Sequence, residues 1–165
     1  MLFRSISQLD SNQSLVRTAA ISKLEALSEA KRYQHLVRML KDPVRAVRTE
    51  AARVLTTVSH SLFDPKEKSL FEEVLQELIV RYEANLDRAE SHLSLGILAE
   101  NKNLAKDAEK HYRNAITRDD LFVPARMNLA TLLSGQGRGA EAEKLLREAV
   151  LIQPTWGQIH YSLGL

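Results

Sequence analysis

A 34-residue period in the second half of the chain constrains the fold more than any other feature. Gly96, Ala130 and Gly164 stand 34 residues apart, as do Leu95, Leu129 and Leu163. Ala108 returns as Ala142, and Ala115 as Ala149. A unit of this length holds two antiparallel helices, and small residues fixed in register let their backbones approach. Such units bury their apolar faces by stacking, so the period predicts an all-α chain of helix pairs.

These residues resemble the tetratricopeptide (TPR) repeat. With Ala89 as first position, Leu95 and Gly96 fall at its Leu-Gly, and Ala108, Tyr112 and Ala115 at its Ala, large apolar and Ala positions. From Val123 the match is Leu129, Ala130, Ala142, Leu146, Ala149 and Pro154; a third unit opens at Gly157 and reaches Leu163-Gly164. His92, Arg126 and His160 replace the usual Trp, and Asp120 replaces the first closing Pro, which puts the sharpness of that turn in question. The resemblance implies a right-handed α-solenoid.

The first part repeats with a step of 31: Val16-Arg17 matches Val47-Arg48, Ala20 matches Ala51 and Leu24 matches Leu55. Asp42-Pro43 precedes the second copy, with Asp expected to cap the helix and Pro tolerated in its first turn. The run DPVRAVRTEAARVL resembles the short form of a HEAT repeat, which implies that Asp42 and Arg48 stabilise adjacent turns.

Between the two arrays, Asp64-Pro65 opens a helix whose apolar stripe is Leu70, Phe71, Val74, Leu75, Leu78, Ile79 and Tyr82. A stripe that wide can pack on both sides, which predicts one continuous solenoid. The expected parts are 1–62 (HEAT-like), 63–87 (connecting helix) and 88–165 (TPR). The expected helices are 2–9, 13–27, 30–40, 44–59, 66–84, 88–100, 104–118, 121–134, 138–151 and 155–164, with Ser134–Gly137 as the clearest turn.

Both ends read as interior to an array: 157–165 is half of a TPR unit, and 2–9 maps onto the second helix of a HEAT-like pair. The chain therefore reads as a fragment of a longer protein, with end-to-end self-association expected through the final half-unit. The order of parts, DPVRAVRTEAARVL, NLDRAESHLSLGILAE, AEKHYRNAITRDDLFVPARMNLATLL and IHYSLGL, resembles the C-terminal region of bacterial TPR-containing multihaem c-type cytochromes. That resemblance implies a periplasmic protein with its haem in a region N-terminal to these residues; without it, the expectation is cytoplasmic. No cofactor is expected in this chain.

Composition bounds the chemistry. The chain has no cysteine, which excludes disulfides, thiolate metal sites and covalent haem attachment within it. No apolar run approaches the ~18 residues of a membrane span. Net charge is +2, and residues 1–60 carry ten Lys/Arg against five acids. A basic face for nucleic acid is the weaker reading of that excess, and a solvated helix surface the stronger. None of the five histidines sits in HExxH, and His92 and His160 occupy a packing position. Glu72, Glu73 and Glu77 read as solvated charge, with Glu77 paired to Arg81 along its own helix. No phosphate loop or GxSxG nucleophile is present. The chain reads as a non-enzymatic interaction and scaffolding module.

In the TPR resemblance, ligands lie against the first helix of each unit. The register gives Glu90, Leu93, Ile97 and Asn101 from the first unit, Pro124, Met127, Asn128 and Thr131 from the second, and Tyr161 from the third. Asn128 holds the position from which many peptide-binding TPRs hydrogen-bond a peptide backbone; an amide offers both donor and acceptor. Leu93 and Ile97 replace the Lys and Asn of the carboxylate clamp, which argues against a chaperone-tail ligand. An apolar floor of Leu93, Ile97, Met127 and Tyr161 suits an apolar or amphipathic protein segment.

Overall fold

The computed structural model describes residues 2–155 and Gly157, and among them there is no strand. The helices are α1 (Leu2–Ser7), α2 (Ser14–Lys23), α3 (Glu29–Leu36), α4 (Arg45–Leu55), α5 (Pro65–Glu83), α6 (Ala89–Asn101), α7 (Ala105–Arg118), α8 (Val123–Gly135) and α9 (Gly139–Ile152). The expected helix 155–164, with Tyr161 and His160, lies almost wholly outside the described residues.

The helices expected over 2–9, 13–27 and 30–40 each end in a 3-10 turn. There the amides of Ser11, Leu27 and Asp42 bond the carbonyls of Gln8, Leu24 and Met39, which satisfies acceptors that an α-helix end leaves open. The helix expected over 44–59 stops at Leu55. The hydroxyls of Thr56 and Thr57 donate to the carbonyls of Arg53 and Val54 at 2.6 and 2.9 Å.

The chain forms two compact units, 1–81 and 82–165. The boundary falls near the end of α5, not at 62 and 87. The physical reason is that α5 buries Phe71, Val74, Leu75 and Leu78 and is tied to earlier helices. Tyr33 of α3 donates to Glu67 at 2.6 Å, and Arg48 of α4 grips Glu77. In the first unit Ala20, Ile21, Leu24, Leu36, Val47, Ala51, Val54 and Leu55 are fully buried.

The 31-residue step has a structural basis. Arg17 donates back to the Ser11 carbonyl at 2.8 Å and forward to both Asp42 oxygens at 2.8 and 2.9 Å. Arg48 does the same one step later, back to the Pro43 carbonyl at 3.1 Å and forward to Glu77 at 2.8 Å. This corrects the expected pairing of Asp42 with Arg48: the Asp42 carboxylate is held by Arg17, and Arg48 hydrogen-bonds residue 42 only at its carbonyl. Glu77 is likewise held across helices, by Arg48 and Arg45.

The two Asp-Pro sites also differ. Asp64 accepts from the amides of Lys66 and Glu67, both at 2.8 Å, while the Asp64 amide donates to Glu67, a reciprocal capping box. At the second site the Asp42 carboxylate, besides holding Arg17, accepts from the Val44 amide, and α4 begins later, at Arg45.

In the second unit α6 packs on α7 and α8 on α9. The turns within the two pairs are built alike. Asn103 and Gly137, 34 residues apart, both have positive φ (59° and 77°). Each is followed by an amide, Leu104 or Arg138, that reaches back at 2.9 Å to Ala99 or Leu133 and closes the helix end. The turn that lacks the expected Pro at 120 is shaped instead by Asp119, whose carboxylate accepts from the Leu121 amide at 3.0 Å.

Candidate functional site

The site follows from how α6, α7 and α8 meet. Gly96 of α6 faces the ring of Tyr112 of α7; a Cβ at Gly96 would lie 2.4 Å from Tyr112 Cε1. Only glycine lets the helices close this far, and closure buries Tyr112 completely. The Tyr112 hydroxyl donates to Glu100 Oε2 at 2.7 Å. Burial pushes its pKa up, as do the Glu100 hydrogen bond and charge, while the Asn128 amide opposes them. Tyr112 thus ties α6 to α8 through one oxygen.

The register residues divide by exposure. On α6, Glu90 is exposed and lies 3.5 Å from Arg88; Leu93 is half-buried and packs against apolar clusters that include Ala125 and Met127 of α8. Ile97 is 37% exposed, and Asn101 is half-buried. On α8, Pro124 and Asn128 are half-buried and Thr131 is exposed, its hydroxyl donating to the Met127 carbonyl at 3.0 Å. Met127 corrects the expected floor: it is 8% exposed and belongs to the core with Tyr112, Ala130 and Leu133. Asn128 is directed to Tyr112, so its amide serves the contact between helix pairs. Tyr161 lies outside the described residues.

Thr131 also borders a cleft of about 470 Å³ between α8 and α9, lined by Ala130, Ser134, Ala142 and Leu146. Small side chains at 130, 134 and 142 leave this space open. The sequence pattern marks these positions only as small.

The basic excess of the first unit is largely committed within the fold. Arg17, Arg38, Arg45, Arg48 and Arg53 form ion pairs with Asp10, Glu25, Asp42, Glu50 and Glu77. Arg32 donates to the backbone carbonyls of Glu25 and Leu27. Among the described residues no group of three or more His, Asp or Glu is placed to hold a metal ion, and no helix is long and apolar enough to cross a membrane.

A model of the tetratricopeptide-repeat family matches residues 98–164. Among solved structures, the chain is similar in fold to YrrB, described as a TPR protein with an unusual peptide-binding site. The TM-score is 0.58 at 18% identity, over 99% of this chain and 84% of that one. A comparison with curated proteins found no match.

Proposed function

We propose that this chain is a non-catalytic protein-interaction module that holds a peptide segment against the solvent-facing sides of α6 and α8. The observation that carries the reading is Ile97, a large apolar side chain left 37% exposed beside half-buried Leu93. The likeness to YrrB, whose site takes a peptide, supports the ligand class. Asn101 lies one turn beyond Ile97 on the same helix and supplies a polar group there, and an apolar side chain of the ligand would cover Ile97. Asn128 would bond a ligand only by sharing its amide with Tyr112.

A peptide-library screen on the full chain, followed by anisotropy titrations, tests this. Ile97→Asp is expected to weaken the best peptide by at least about tenfold, as loss of an interface anchor does. A chain that selects no peptide, or an Ile97→Asp variant that binds as well as the parent, removes the reading.

The resemblance to multihaem cytochromes supports a second reading, in which the module follows a haem-bearing region of a periplasmic protein. The mass and visible spectrum of the native gene product test it. A colourless product of 18.6 kDa removes this second reading and leaves the first standing.

A further inference from the structure

We propose that His92 and His111 form an acid-sensitive latch between α6 and α7, closed while one proton lies between their facing nitrogens and opened when each ring carries its own. The two Nδ1 atoms are 3.2 Å apart, with ring centroids 5.5 Å apart and a 41° tilt. His92 is 4% exposed and His111 half-buried. At that separation one nitrogen donates and the other accepts.

The hydrogen bonds assign the tautomers. His92 donates to the backbone of Leu86. With its Nδ1 turned to His111, the ring nitrogen left for that bond is Nε2. His92 Nδ1 is then the acceptor and His111 Nδ1–H the donor. A first added proton is accommodated: His92 becomes the donor and His111 moves its hydrogen to Nε2. A second proton cannot be, because two N–H groups would then face each other inside a desolvated contact.

Burial and the neighbouring cations act in the same direction. Burial depresses the pKa of both rings. Arg118 adds to this at His92, and His92 itself and Lys110 add to it at His111, while Asp107 and Glu83 oppose them without overcoming them. Apart from His92 of α6, these groups lie on α7 and at the end of α5. A base held neutral in the fold stabilises it fully above the ordinary histidine pKa of about 6.5, and that stability is lost as pH falls towards the depressed value.

His92 lies one residue before Leu93 on α6, so an open latch would loosen the face assigned above to the peptide. That consequence rests on the peptide-binding reading; the latch itself does not.

The test is a histidine ¹⁵N NMR titration of the full chain from about pH 7.5 to about pH 5, with amide exchange measured alongside. His92 and His111 are expected to titrate together in two coupled steps, both below the ordinary value. Amide protection in α6 and α7, corrected for intrinsic rates, is expected to fall about tenfold more than in α8 and α9. Independent titration at ordinary values, or unchanged relative protection, overturns the latch. His111→Gln keeps an N–H donor but cannot charge, and should flatten the dependence of Tm on pH over this range. A retained slope also overturns the proposal. If His111→Gln does not fold, the wild-type titration still decides. A responsive latch in a chain that binds no peptide would remove only the peptide reading.

Discussion

Gly96 and Tyr112 are a matched pair: a Cβ at Gly96 would sit 2.4 Å from the Tyr112 ring. Thirty-four residues later the same two places hold Ala130 and Leu146, a larger residue facing a smaller one. At the first pair, the side chain missing at Gly96 leaves the room that the Tyr112 ring fills. Gly96→Ala should therefore cost about 1 to 3 kcal/mol, as overpacking does. In a Tyr112→Leu background the same change should cost much less, because it recreates the 130/146 combination. A double-mutant cycle by urea denaturation reads the coupling; equal costs in the two backgrounds would contradict the matched-pair account.

The oxygen of Tyr112 has a separate role. Tyr112→Phe keeps the ring and removes the link to Glu100 and Asn128. The expected loss is about 1 kcal/mol by denaturant titration, with the ring packing retained. A loss as large as that of Tyr112→Ala would show that the phenol acts through more than these bonds.

Asp42 and Asp64 share an Asp-Pro dipeptide and should respond differently to removal. Asp64→Ala loses a helix cap, about 1 kcal/mol. Asp42→Ala also removes the carboxylate that Arg17 grips with two hydrogen bonds, leaving Arg17 only its bond to the Ser11 carbonyl, and should cost more than Asp64→Ala. Equal effects would mean that the Arg17 pair adds nothing.

Acid should weaken the first unit through Asp42 and Glu77. Burial raises the Asp42 pKa, but the Arg17 and Val44 hydrogen bonds and the Arg17 and Arg48 charges outweigh it, and the net shift is downward. Arg48 lowers Glu77. Because both are depressed on folding, their stabilisation is present above the ordinary carboxylate pKa of about 4 and is lost as pH falls below it. Arg48→Met should reduce the slope of stability against pH in that acid window, as followed by circular dichroism. An unchanged slope would count against the Arg48–Glu77 pair.

Arg126 occupies the place of His92 one unit later but has no equivalent partner. It is 7% exposed, its Nε and Nη1 lack hydrogen-bond partners, and Glu148 approaches only to 3.6 Å. Arg126→Leu should leave stability unchanged or raise it by up to about 2 kcal/mol, since a poorly satisfied buried cation is removed and half-exposed Glu148 returns to water. A marked fall in Tm would show that the guanidinium is better satisfied than its geometry indicates.

The sequence by itself determined the helical fold and its spacing. Small residues at 96, 130, 108 and 142 recur at 34, and that signal survives because close backbone approach tolerates few side chains. The 31-residue step was legible for the same reason: Arg17 and Arg48 must reach one turn back and one helix forward. What the step could not give was the forward partner. Asp42 and Glu77 lie 25 and 29 residues on, and only the fold decides which carboxylate stands within reach. The candidate face was legible in register but not in exposure. Met127 and Thr131 lie four residues apart on one helix, yet one is in the core and the other in solvent, because α8 turns one edge towards Tyr112. The His92–His111 contact was hidden for the same reason. It joins two helices at a separation with no local period, and only the closure permitted at Gly96 places helices α6 and α7 against each other.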